Sequence, residues 1–336
     1  MSRRRLIGLV ACSLVFTSMA SACGGNDGDL VIYSGRTRDL VHPLLEDFSQ
    51  DTGIKIRVRY GDSAELASTI LEEGNNSPAD VFFSQDAGAL GALADQGKLQ
   101  QLPQPLLSQV DDGFKSHDGL WVGVSGRSRV VVYNPEKLRE QDLPPSVMEL
   151  SDPKWRGRLG WAPTNASFQA FVTGLRVSRG EDAARAWLNS MKSNGTRSYP
   201  NNIAIVQAVA AGELDAGLVN HYYLYPFLEE QGESYKARNY FFKDGDIGAM
   251  INVAGAGILA SSNNSAEARR FIEYLLDRHA QEYFANQTYE YPLADGVPIS
   301  SDVPSLASLQ PPSMDLSRLD DLAGTLRLLQ ETGVLP

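Results

Sequence analysis

Leu30-Val31-Ile32-Tyr33-Ser34-Gly35 opens a stretch, running to Ala94, whose pattern decides the fold. Its first four residues form a short apolar strand that stops at a small polar end. Leu40, Leu44, Leu45 and Phe48 follow at helical spacing. Ile54-Lys55-Ile56-Arg57-Val58-Arg59-Tyr60 then alternates apolar and charged residues, the period of a strand with one covered face. After the turn Gly61-Asp62, Ser63 caps a helix carrying Leu66, Ile70 and Leu71. Val81-Phe82-Phe83 reads as a buried strand, and Ala87 to Ala94 as a further helix. The order β-α-β-α-β-α predicts a mostly parallel sheet covered by helices, an α/β fold.

In open sheets of this kind ligands lie beyond the carboxyl ends of the strands. Those ends are Ser34-Gly35-Arg36-Thr37, Gly61-Asp62-Ser63 and Ser84-Gln85-Asp86, all small or polar. A second α/β pattern follows. Leu159 to Ala162 is a strand, and Thr164-Asn165-Ala166-Ser167 leads into a helix near Phe168 to Val177. Ala183 to Met191 is another helix. Asn202 opens one that runs through Ala211, and the strand Ala216 to Val219 ends at Asn220. Between the two patterns lies the valine-rich run Val122 to Tyr133, and a glycine- and alanine-rich run follows at Ile247 to Leu259. Two extended crossings of this kind suit a hinge between two lobes. Ala266 to Leu276 and Leu316 to Leu329 complete the helices.

Arg3-Arg4-Arg5 followed by the apolar run Leu6 to Ala20 reads as a signal peptide, too short for a permanent span. Ala20-Ser21-Ala22-Cys23 matches a bacterial lipidation site, with Ala20 where leucine is usual, so residues 1–22 are expected to leave and Cys23 to carry a lipid. Residues 23–29 would then be a polar tether. Cys12 leaves with the signal, and the mature chain keeps no disulfide. Loss of Arg3, Arg4 and Arg5 moves the net charge from −11 to −14. That balance argues against nucleic acid and against a polybasic membrane patch. It suits an extracytoplasmic body held to the cell membrane only by its lipid.

Several enzyme signatures are missing. Gly123-Val124-Ser125-Gly126-Arg127 falls one glycine short of a nucleophile elbow. There is no phosphate loop ending in Gly-Lys-Ser/Thr and no His-Glu-x-x-His helix. His42, His117, His221 and His279 show no metal spacing, and only His221 stands beside a chemically suggestive neighbour. That neighbour is the pair Tyr222-Tyr223, just after a strand end. Tyrosine pairs often pack half-buried with the hydroxyl in water. A phenolate is also a hard anionic donor suited to ferric iron. Thr164–Ser167 and Asn202 stand at helix starts, where they either cap the helix or receive an oxyanion.

Seven stretches carry a resemblance. They are Val31-Ile32-Tyr33-Ser34-Gly35, Thr52-Gly53-Ile54-Lys55-Ile56, Pro78-Ala79-Asp80-Val81-Phe82-Phe83, Ser125-Gly126-Arg127-Ser128-Arg129-Val130-Val131-Val132-Tyr133, Pro153-Lys154-Trp155-Arg156-Gly157, Asn220-His221-Tyr222-Tyr223 and Glu290-Tyr291-Pro292-Leu293. In this order they resemble the ferric-iron-binding lipoproteins of ABC importers, the bacterial ferric-binding, transferrin-like family. The resemblance implies a two-lobed periplasmic-binding-protein type II fold with a hinge of extended crossing segments. The expected lobes are 30–125 with 252–305, and 126–251 with 306–336. It implies a binding protein rather than an enzyme, a monomer that serves a permease and its separate ATPase subunit.

The family's paired tyrosines, which hold Fe³⁺, carry over to Tyr222 and Tyr223. Its usual histidine and glutamate positions hold Thr37 and Gln85, and a further tyrosine used by some relatives is Phe168. The family's synergistic anion would lie at Asn165, Ala166, Ser167, Asn202 and Asn220. With Gln85 in place of an acid, heavier reliance on carbonate, phosphate or citrate is expected, with Arg127 as a helper or as a hinge ion pair. Two rival readings remain: the same scaffold holding an organic or anionic solute, and a surface hydrolase using Asp62 and Asp86.

Overall fold

The computed structural model describes residues 28–335. The expected signal, Cys12, Cys23 and the first residues of the tether lie outside the described residues. The strands are β1 (Leu30–Ser34), β2 (Ile56–Tyr60), β3 (Val81–Ser84), β4 (Val122–Tyr133), β5 (Leu159–Trp161), β6 (Arg197–Ser198), β7 (Ala216–Asn220), β8 (Arg238–Tyr240), β9 (Ile251–Ile258) and β10 (Tyr291–Pro292). The sheet runs β2-β1-β3-β9-β4-β7-β5-β6, with β8 and β10 also paired to β4.

The first βαβ units form as their patterns predict, except that Asp62 and not Ser63 holds the N-cap position of the second helix, and Ser63 Oγ accepts from Gln85 N instead of capping. Val41, Leu44, Leu45 and Phe48 bury one face of the helix Arg38–Thr52, which Gly53 ends in the left-handed region, its N–H donating to Ser49 O. Asp86 accepts from Ala89 N and so caps the helix Ala87–Asp95. β3 is buried throughout. Burying each large apolar side chain of this kind stabilises by about 1.5–3 kcal/mol.

The sheet is mixed rather than mostly parallel. β1 runs parallel to β2 and β3, and β5 runs parallel to β6 and β7. β4 and β9 run antiparallel to each other and to their outer neighbours, β7 and β3. The reason is topological. Both strands leave one half of the molecule for the other, so each enters a parallel half from its far side. β4 pairs with β9 from Val122 to Ser128, then with β7 from Arg129 to Tyr133. The crossing is tight: a Cβ added at Gly255 would stand 2.8 Å from Val122 O, which is why that run is built from glycine and alanine.

The apolar residues gather around these crossings in three bodies. One contains Phe48, Phe82, Phe83, Phe271 and Leu275 and fills the first lobe. The second lobe has a core on each face of its sheet. Val131 and Leu218 belong to one with Trp161, Phe168, Phe171 and Trp187. Val130, Val132 and Val219 belong to the other with Ile205, Tyr222 and Tyr291. Alternation along β4 and β7 thus sends successive side chains to opposite cores. The C-terminal segment is shared: Leu316 and Leu319 pack in the first lobe, Leu328 and Leu329 in the second.

Candidate functional site

β7 is buried along its length and ends at Asn220. A short helical turn, His221–Leu224, follows at once and carries the tyrosine pair. Two hydrogen bonds fix this turn. Ser128 N, on the crossing strand β4, donates to His221 Nδ1 at 3.2 Å. That makes Nε2 the protonated nitrogen, and it lies 2.7 Å from Tyr289 O. Burial pushes the imidazole down to about 4, so it is neutral. His221 is fully buried, with both ring nitrogens occupied, and it positions the turn rather than offering a ligand.

The rings of Tyr222 and Tyr223 lie 4.3 Å apart, tilted by 35°. Tyr222 is almost wholly buried and its hydroxyl has no hydrogen-bond partner. An orphaned buried hydroxyl costs about 1–3 kcal/mol, so a group in this state calls for a functional reason. Burial, then the neighbouring Tyr223, holds the Tyr222 phenol well above its ordinary range; Arg36 and Arg127 oppose that shift. Tyr223 opens onto a cleft of about 380 Å³ that Arg36, Thr37, Gln85, Asn165 and Asp62 also line. Thr37 is exposed at the start of the helix Arg38–Thr52 and its side chain makes no capping bond.

The residues expected to receive an anion do come together, but largely to bond one another. Asn165 Oδ1 accepts from Ser167 N and from Asn202 Nδ2. Asn202 Oδ1 accepts from Asn220 N, and Asn220 Nδ2 donates to Ser167 Oγ at 3.0 Å. Arg129 Nη1 donates to Asn220 Oδ1. Ala166 offers only its backbone. Gln85 Nε2, from the first lobe, donates to Ser167 Oγ of the second at 2.9 Å. The residue at the position of a glutamate therefore ties the lobes together.

Behind this network, guanidinium groups are among the buried donors without a partner. Arg36 Nη2 meets Glu290 Oε2 at 2.5 Å, while its Nε and Nη1 have no partner. All three nitrogens of Arg127 are buried and unpartnered, so it makes no hinge ion pair. Arg127 stands in the field of Tyr222, Arg36, Asp86 and Glu290, and burial lowers its pKa. Arg129 is pushed down to about 9, first by burial and then by Arg127, and stays charged at neutral pH. Arg36 and Glu290 escaped the sequence reading as site residues. The signal for the first was a charged residue at the very end of an apolar strand. No local pattern could have joined the second to it across 254 positions.

Two rival chemistries lose their geometry here. Ser125 lies inside β4, not on a strand-to-helix elbow, and donates to Glu290 Oε1 at 3.0 Å. Asp86 is a buried helix cap, whereas Asp62 is exposed on the cleft rim. Among the described residues no group of three or more His, Cys, Asp or Glu side chains could hold a metal ion.

Residues 76–318 match the model of a family described as bacterial extracellular solute-binding protein. The chain belongs to that family. It is 36% identical to the Fe(3+)-binding periplasmic protein of Serratia marcescens, over 98% of this chain and 97% of that one. Its fold is similar to the crystal structure of iron-bound HitA from Pseudomonas aeruginosa: TM-score 0.87, 35% identity, 91% of this chain and 99% of that one. It is also similar to a Trichodesmium protein, IdiA (FutA), solved in complex with iron and citrate: TM-score 0.78, 31% identity, 91% and 99% coverage. Ferric-binding proteins of the two-lobed type are therefore this chain's relatives, and the family is extracytoplasmic. No helix among the described residues is long and apolar enough to cross a membrane.

Proposed function

We propose that this protein captures ferric iron in the cleft between its lobes, with Tyr222 and Tyr223 as phenolate ligands and an accompanying anion, and delivers it to an ABC importer. The observation that carries the reading is the Tyr222 hydroxyl, buried without a partner beside Tyr223. Relatives at 31–36% identity that are named for iron or solved with it support the reading. A coordinated ion deprotonates its donor through its own charge, so two phenols become two phenolates and leave one positive charge on the metal. Thr37 and Gln85 supply no charge to cancel it, so carbonate, phosphate or citrate would do so. Closure would bend β4 and β9 and move the first lobe against the second. Outside the cleft, the proposal includes a lipid on Cys23, a monomeric body, and a permease with its separate ATPase subunit.

The test is a titration of the purified mature protein with a ferric chelate. A visible tyrosinate-to-iron charge-transfer band is expected, and Tyr222→Phe and Tyr223→Phe should each weaken or remove it. Wild type without a band, binding no better than the double variant, sinks the reading. The unpartnered arginines favour one rival, an organic or anionic solute held without metal. Thermal stabilisation by such a solute, with none by iron, would decide for it.

A further inference from the structure

Beside β4 and β9 a further segment joins the lobes, and its central residue is held in a conformation that its own side chain opposes. The segment leaves the helix Arg278–Asn286 and enters β10, which pairs with β4 at Ser125 and Gly126. The helix belongs to the first lobe: Phe284 lies in that lobe's core, and the Tyr283 hydroxyl donates to Leu40 O. Glu290 N closes the helix by donating to Phe284 O, six residues back, at 2.9 Å. That closure takes a left-handed residue just before Glu290, a place usually given to glycine. Here it is Tyr289, at φ 57°. A bulky residue in that region is an outlier, because its Cβ crowds the backbone.

The ring accounts for the exception. It crosses into the second lobe and joins the core that holds Tyr222 and Tyr223. It stacks on Tyr225, with centroids 4.6 Å apart and planes 15° apart. Its hydroxyl donates to Glu229 on the helix Tyr225–Gln231. The Tyr289 carbonyl accepts from His221 Nε2 at 2.7 Å, at the head of the tyrosine turn. The next side chain grips the other lobe: Glu290 accepts from Arg36, just beyond β1. A plain helix cap would be served better by glycine, which makes the same backbone bonds without the strain. What the ring adds is a hold on the segment that starts with the ligand pair.

We propose that Tyr289 is a positioning residue for Tyr222 and Tyr223. Its chain is fixed to the first lobe and its ring to the second, so it sets the turn His221–Leu224 at a defined angle to the first lobe. It touches no cargo and acts through His221 and Tyr225. The inference rests on the iron reading of the tyrosine pair. Without the ring, nothing pins residue 289 to the helix Tyr225–Gln231, its carbonyl is free to leave His221, and the two phenols lose their fixed relation.

The experiment compares purified mature wild type with Tyr289→Gly and Tyr289→Phe. Each is loaded from ferric citrate, and the charge-transfer band is followed before and after excess chelator is added. Y289G keeps the cap and relieves the strain, so it should fold; near-ultraviolet circular dichroism checks that. It is expected to shift or broaden the band and to lose iron about tenfold faster, the equal of one hydrogen bond. Y289F keeps the stack and should restore most of the wild-type band and rate. Amide exchange of the iron-free protein, followed by nuclear magnetic resonance, reads the turn without metal. Ser128 N, held by His221 Nδ1, should exchange faster in Y289G than in wild type or Y289F. A folded Y289G protein with wild-type band, rate of loss and Ser128 exchange overturns the proposal, whatever its melting temperature. A wild type without a band removes the iron reading; faster Ser128 exchange in Y289G would still show that Tyr289 sets the turn.

Discussion

Gln85 is the residue on which the balance between ligand and latch turns. Its amide nitrogen reaches Ser167 across the cleft, so it holds the lobes together without adding charge. Gln85→Glu keeps the size and supplies a carboxylate beside the buried arginines. An opposite charge within reach favours the ionised form, so the new group should be negative. Iron affinity in acetate buffer is expected to rise about tenfold, and the gain from added carbonate, phosphate or citrate to shrink. Chelator competition measures both. An unchanged anion dependence would mean that Gln85 lies outside the charge balance of the site. The tyrosine pair was legible in the sequence because adjacency and a strand end are local facts. Arg127 was named from the resemblance, but Arg36 and Glu290 were not. They are charged residues that become buried only when distant segments pack, and polar patterning reads such residues as surface.

At the scale of elements, legibility followed length and period. The helix Arg38–Thr52 and the strand β3 announce themselves through spacing and apolar runs. β6 and β10 have two residues each and β8 has three, too few for any period to register. The helix Arg278–Asn286 begins at Asp277, whose side chain caps Ala280 N, but its polar composition hid it. The mixed pairing of the sheet was invisible for another reason: strand direction is a property of the connections. The crossing strands also locate two vulnerable points. His221 joins β4 to the tyrosine turn through both ring nitrogens. His221→Ala orphans Ser128 N and Tyr289 O and leaves a cavity, and should cost about 3 kcal/mol. Thermal melting and denaturant titration would show it. Gly255→Val would drive a side chain toward Val122 O and Leu90 and should destabilise by about 1–3 kcal/mol. A variant at either site as stable as wild type would show that the crossing tolerates what its packing forbids on paper.

For the whole molecule, if the cleft takes iron as proposed, acid should separate release of the metal from loss of the fold. Each phenol that binds iron gives up a proton, and free tyrosine titrates near ~10. Below that range, apparent affinity should fall by about tenfold per phenol for every pH unit of acidification, or about 100-fold for the pair. The fold responds later and for different reasons. His221 is held down to about 4 from an ordinary 6.5. A depressed imidazole stays neutral in the native state while the unfolded chain takes up a proton, so stability drains as pH falls from 6.5 toward 4. The loss approaches about 3 kcal/mol, because each pH unit crossed between those two values costs about 1.4 kcal/mol. Asp215 sits between Arg158 and Lys137, which hold its carboxyl below the ordinary 3.8. Its contribution is complete above that value and disappears only as pH falls beneath it. The charge-transfer band should therefore fade between about pH 7 and 5 while near-ultraviolet circular dichroism stays native. A band that persists until the circular dichroism collapses would mean that unfolding, and not proton competition for Tyr222 and Tyr223, sets the release of iron.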